Sequence, residues 1–109
     1  MCIRDRYFSS RGPAPDGRIK PDIVGADSGQ SVSYVTATNP DGDWQGTSQA
    51  SPHMAGVAAL VLEQNPDLSP SEIAKYLKDC ALPRESKIPN NSWGYGFGYL
   101  PSCHHAWLP

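Results

Sequence analysis

A serine stands where a loop enters an apolar, small-residue segment in the string Gly46-Thr47-Ser48-Gln49-Ala50-Ser51-Pro52-His53-Met54-Ala55-Gly56. A helix beginning there carries roughly half a positive charge and several unpaired N–H groups at its first turn. Those donors can stabilise the oxyanion formed when a serine attacks a carbonyl. Pro52 is placed by the pattern in that first turn, where a missing N–H does least harm. A serine in this position serves equally well as a plain N-cap. Local physics leaves both roles for Ser48 open.

Other groups with chemical potential are weaker. Cys103-His104-His105 offers metal-ligating types, but adjacent side chains diverge and a fourth ligand is missing. Asn39-Pro40-Asp41-Gly42-Asp43 has the look of a calcium loop, yet position twelve would be Ala50 instead of a bidentate glutamate. It reads as a solvated turn. Gly94, Gly96 and Gly98 do not have phosphate-loop spacing. Asn90-Asn91-Ser92 is a glycosylation acceptor only in a eukaryotic secretory setting. Cys2, Cys80 and Cys103 are odd in number and widely spaced, which suggests neither a disulfide framework nor a paired metal site. No metal and no cofactor is expected.

The string from Gly46 to Gly56 resembles the serine motif of subtilisin-like peptidases (peptidase family S8, the subtilases), G-T-S-x-A-[ST]-P-H-[VM]-[AS]-G. Every position matches. The resemblance continues upstream in Phe8-Ser9-Ser10-Arg11-Gly12-Pro13 and Asp16-Gly17-Arg18-Ile19-Lys20-Pro21-Asp22-Ile23. Downstream it includes Ala58-Ala59-Leu60-Val61, Asn65-Pro66-Asp67-Leu68 and Trp93-Gly94-Tyr95-Gly96. Residues 7–96 are thus similar to the C-terminal portion of such a catalytic domain. The resemblance implies an α/β fold of three layers, with a mainly parallel sheet and a buried serine-bearing helix.

It further implies that Ser48 is the acylated nucleophile of peptide hydrolysis. The Ser48 N–H, with the Thr47 hydroxyl nearby, would form part of the oxyanion hole. His53 would be structural: it lies five residues along the same helix, whereas a base must reach the serine oxygen within about 3 Å. The family runs Asp, His, Ser in chain order. The histidines here are at 53, 104 and 105, all after Ser48. The base and its aspartate are therefore expected upstream of Met1, on a missing N-terminal part of the catalytic domain. The isolated chain is expected to be inactive. Protein or peptide substrates and an extracellular location follow by resemblance alone.

The match is not uniform. Met1 to Arg6 fits nothing in the family and reads as a leader of other origin. Val24-Gly25-Ala26-Asp27 replaces the commoner V-A-P-G, and residues 97–109 form a divergent tail. Two rival readings remain. One is an α/β-hydrolase elbow at Gly46-x-Ser48-x-Ala50, with Asp79 and His104 or His105 as partners. The other is a non-catalytic binding or structural module on a degenerate peptidase fold.

The elements that must carry these residues are constrained by size. A chain of 109 residues and 11.8 kDa holds one small domain at most, or a piece of a larger one. Charged residues are 18% and hydrophobic ones 39%, which places it among globular rather than disordered chains. Residues 21–72 contain seven acids and no Lys or Arg, so no basic stripe exists for a nucleic acid. The longest apolar run, Met54 to Leu62, is far too short to span a bilayer. The first residues have no apolar core of a signal peptide.

Tyr7 to Ser10 reads as a short strand and Ile19 to Val24 as a second. Ser31 to Thr38 alternates like a third, ended by the turn at Asn39-Pro40-Asp41-Gly42. A helix from about Ser48 to Gln64 is apolar nearly all round, which predicts burial. Gly56 inside it should mark a close contact, since it costs about 1 kcal/mol against alanine. A second helix starts at the capping box Ser69-Pro70-Ser71-Glu72, with Ile73, Leu77 and Cys80 inward and Lys75 and Lys78 outside.

Overall fold

The computed structural model describes residues 7–98 and Leu100. Its elements run β1 (Ser28–Gln30), a 3-10 helix (Val32–Tyr34), β2 (Asp43–Gln45), α1 (Thr47–Gln64) and α2 (Pro70–Asp79). Strands β1 and β2 pair antiparallel, with Gly29 opposite Trp44. The remainder is irregular, as the proline and glycine content requires.

The expected strand over Ser31 to Thr38 is replaced by turns. The Ser31 hydroxyl accepts from the Ser33 N–H and starts the 3-10 helix, while Thr36 and Asn39 bridge antiparallel. Val32 is 90% exposed, so the alternating pattern had no apolar surface to lie on. Asn39 holds the loop: its amide donates to the Tyr34 and Asp43 carbonyls and its Oδ1 accepts from the Asp43 N–H. The first side chain of the calcium-like turn is thus used internally, and the Asp43 carboxylate accepts from Gln30. The two real strands are short and polar, held by backbone pairing that alternation does not reveal.

Tyr7 and Phe8 lie in a turn instead of a strand, their rings packed edge to face. The expected strand at Ile19–Val24 shrinks to one residue: Val24 forms a parallel bridge with Phe97. Phe97 pairs on its other side with Leu82, antiparallel, through N···O distances of 2.7 and 2.9 Å. Phe97 thus lies between two backbones; Gly96 and Gly98 on either side of it bond Val24, while Gly94 bridges with Asn90. Trp93 is buried. The described residues contain helices and a small antiparallel sheet, with this single parallel bridge beside them.

Helix α2 forms as its sequence dictates. Ser69 accepts from the Glu72 N–H while the Glu72 carboxylate accepts from the Ser69 N–H at 2.8 Å, with Pro70 in the first turn. The Ser69 hydroxyl, together with that N–H, holds the Glu72 carboxyl below its usual range. Its buried residue Tyr76 and the Cys80 that follows it as C-cap pack against Val61 of α1, with Leu68, Leu77 and Leu100 around them. Lys75 is outside, as expected, and pairs with Asp79 one turn on. Lys78 is not simply outside: its ammonium lies 2.8 Å from Asp22 and sits over the Tyr95 ring.

Helix α1 departs from expectation. Its only buried residues are Ala50 and Val61, and Leu60 and Leu62 are exposed. The described residues pack against one side of it alone, which leaves the rest of an all-round apolar helix facing outward. Gly56 makes no close contact; nothing described lies within 4 Å of where a Cβ would stand.

Candidate active site

The site is built from the start of α1 and the loops beneath it. Gly46 is the N-cap, at φ 142° and ψ 170°, a conformation that essentially only glycine adopts at low cost. Its N–H donates to the Asp27 carbonyl at 2.8 Å. Its own carbonyl accepts from Gln49 at 3.0 Å and Ala50 at 3.2 Å. No side chain caps this end.

Two consequences follow for Ser48. The capping role belongs to Gly46, so Ser48 is not the N-cap; it is the second residue of the helix, with Thr47 the first. Both side chains are exposed. Among the described residues the N–H groups of Thr47 and Ser48 have no backbone acceptor, since those of Gly46, Gln49 and Ala50 are already engaged. An exposed hydroxyl therefore stands beside two available donors at the positive end of an eighteen-residue helix. That arrangement suits a developing negative oxygen.

Pro52 lies deeper than the first turn. Having no N–H, it cannot donate to the carbonyl of Ser48, four residues earlier, so the helical ladder is interrupted beneath the serine. The helix end is held in place by close packing. At Gly25 a Cβ would come within 3.0 Å of the Ala50 carbonyl and 2.9 Å of Met54 Cγ, so the loop backbone touches α1 directly. Gln49, beside Ser48, reaches back over Gly29 in β1.

Asp27 went unrecognised as part of this arrangement. It is fully buried, and its carbonyl anchors the cap. The one available signal was its place in Val24-Gly25-Ala26-Asp27, where an acid ends an otherwise apolar loop. His53 is exposed on α1. Five residues of helix separate it from Ser48 by about 7.5 Å of rise, beyond the reach of a hydrogen bond. Asp79, a partner in the hydrolase-elbow reading, pairs with Lys75 at the end of α2. His104, His105 and Cys103 lie outside the described residues.

Among the described residues, no group of three or more His, Cys, Asp or Glu is placed to hold a metal ion. None of the helices described is long and apolar enough to cross a membrane. Asn90 is occupied as a turn residue: its Oδ1 accepts from the Ser92 and Trp93 N–H groups and its amide donates to Lys87. A glycan on Asn90 would compete with that donation. The expectation of no disulfide framework needs correction at one residue, because Cys80 is disulfide-bonded. Cysteine spacing alone carries no information on pairing in space.

The model of the subtilase family matches residues 5–96. The chain belongs to the subtilase family. This subtilase chain is 35% identical over 99 residues to serine protease AprX of Bacillus subtilis, covering 76% of the chain and 22% of AprX. It is 39% identical over 93 residues to bacillopeptidase F of the same organism, covering 82% of the chain and 6% of that protein. Identity to the minor extracellular protease Vpr, also from Bacillus subtilis, is 37% over 99 residues, covering 82% of the chain and 12% of Vpr. The subtilase chain therefore spans a minor part of each relative's length. Family membership implies an α/β fold, and it removes the α/β-hydrolase reading.

Proposed function

We propose that Ser48 is the nucleophile of a serine endopeptidase. Its Oγ attacks the carbonyl carbon of a peptide bond, giving up its proton to a general base. The carbonyl oxygen gains negative charge and is met by the Ser48 N–H, with the Thr47 hydroxyl beside it. The C–N bond then breaks, the leaving amine takes the proton, and water releases the acyl group from Ser48. The observation that carries this reading is the exposed Ser48 freed of capping by Gly46, next to unengaged helix N–H groups.

The base and its aspartate are supplied by polypeptide upstream of Met1. His53 is too far along α1 to serve, and a serine hydroxyl at neutral pH is a poor nucleophile without a base. The present residues are then the C-terminal part of a three-layer catalytic domain with a mainly parallel sheet. Substrates are proteins or peptides. We place the whole protein outside the cell, which the name of Vpr and the Cys80 disulfide support.

A fluorophosphonate probe tests the reading. The 109-residue chain should remain unlabelled, whereas the same chain joined to upstream segments carrying Asp and His should label at Ser48. Ser48→Ala should abolish that label. Prompt labelling of the isolated chain overturns the dependence on upstream residues. A completed domain that refuses the probe overturns the nucleophile role and leaves a non-catalytic module.

A further inference from the structure

The Met54 side chain of α1 lies in a slot between two glycines. A Cβ on Gly25 would come within 2.9 Å of Met54 Cγ and 3.2 Å of its Sδ, and one on Gly98 would overlap the Sδ and the terminal methyl. The two glycines stand on adjacent backbones, since the Gly98 N–H donates to the Val24 carbonyl at 2.8 Å. The thioether fills the space that their missing side chains leave. All three residues lie on this chain, so the contact stands whatever else packs around α1. Gly25 occupies the place of the alanine in the commoner V-A-P-G, and Met54 a motif position that also takes Val. The longer side chain on the helix thus meets the shorter one on the loop.

We propose that Gly25 and Met54 are a matched pair of positioning residues that set the height of the Asp27 loop and, through it, the aim of Ser48. This rests on Ser48 being the nucleophile. Gly25 leads in two residues to Asp27, whose carbonyl holds the Gly46 N–H at 2.8 Å, and Gly46 is the cap from which Thr47 and Ser48 start. Met54 stands six residues past Ser48, about 9 Å along the helix, and touches neither the hydroxyl nor a reacting atom. It acts by spacing the loop from α1. A methyl added at Gly25 pushes against Met54 and the Ala50 carbonyl, moves the loop outward and carries Gly46 with it. Misplacing a nucleophile by about 1 Å can cost about a hundredfold in rate, so a small shift here is read directly in turnover.

The test uses the complete catalytic domain, upstream polypeptide included, with turnover of a peptide substrate counted per Ser48 that finally labels with a fluorophosphonate. Gly25→Ala should lower kcat at least about tenfold, with KM within about threefold of the parent. Met54→Ala, which empties the slot, should lower kcat about threefold. The double variant should regain at least about threefold over Gly25→Ala, the recovery being partial because the Ala50 carbonyl still crowds the new Cβ. Should Gly25→Ala yield no folded domain, Gly98→Ala takes its place in the cycle, because its Cβ overlaps the thioether alone; it should cost about threefold in kcat, recovered by Met54→Ala. In a parent that labels, additive losses of kcat overturn the pair, and losses of stability with kcat per labelled site unchanged overturn the positioning role. A parent domain that refuses the probe overturns the nucleophile reading itself, and the positioning role with it.

Discussion

The two helices of this chain begin in opposite ways. Helix α2 is closed at its start by side chains: Ser69 and Glu72 satisfy each other's backbone donors, and Pro70 has none to satisfy. Helix α1 is closed by backbone alone, through Gly46 and the Asp27 carbonyl, and leaves the Thr47 and Ser48 donors available. The second arrangement gives up a stabilising hydrogen bond at the helix end. In return, its first two side chains and their N–H groups are left to meet a ligand. Helix α2 is finished locally, whereas α1 is left open at the end where the proposed nucleophile, Ser48, stands.

Substitutions can break this contrast in order of size. Gly46→Ala should have the largest effect, about 1–3 kcal/mol of lost stability in urea unfolding, because a Cβ is strained at this φ. A loss under half of that would show that the cap tolerates side chains after all. Ser69→Ala, which removes the reciprocal cap, should cost about 1 kcal/mol by the same measurement. Ser48→Ala should leave stability within about 0.5 kcal/mol of the parent, since Ser48 caps nothing. If Ser48→Ala proves as costly as Ser69→Ala, the hydroxyl has a structural role and the contrast fails.

The smallest effect concerns how α2 is fastened. Asp22 accepts from Lys20 and from Lys78, and these contacts, Lys20 first, hold its carboxyl below the usual range. Asp22 raises the Lys78 ammonium above its ordinary value in turn. A carboxyl lowered by folding adds stability that is present above its unfolded pKa of about 3.9 and lost as pH falls through the folded value. Lys78 contributes stability present below its unfolded pKa of about 10.4, lost as pH rises through the folded one. Asp22→Asn should flatten part of the acid limb of the stability profile. At neutral pH it should cost under about 1 kcal/mol, because the groups are partly solvated.

Legibility followed how local the cause was. The capping box needed four adjacent residues and was readable outright. The string Gly46 to Gly56 was readable as a family signature, although Gly46, not Ser48, proved to be the cap. That outcome goes with a positive φ at Gly46 and a hydrogen bond to the distant Asp27 carbonyl. Ser31 to Thr38 misled because alternation signals a strand only when a surface exists to receive its apolar side, and Val32 finds none among the described residues. Lys78 was read as solvated because its partner, Asp22, is remote in the chain. Cys80 illustrates the same limit, since pairing of thiols is decided in space. The outward face of α1 was legible as an apolar surface, but not what it would meet.

Pro52 gives the serine end a mechanical character of its own. Because it offers no donor to the Ser48 carbonyl, the opening turn of α1 is joined to the rod behind it by covalent geometry and one fewer strut. Gly46 and the loop at Asp27 hold that turn from the other side. Ser48 is therefore held from its loop as well as from its helix. A shift of that loop could re-aim the hydroxyl by a fraction of an ångström while the eighteen-residue helix stays where it is.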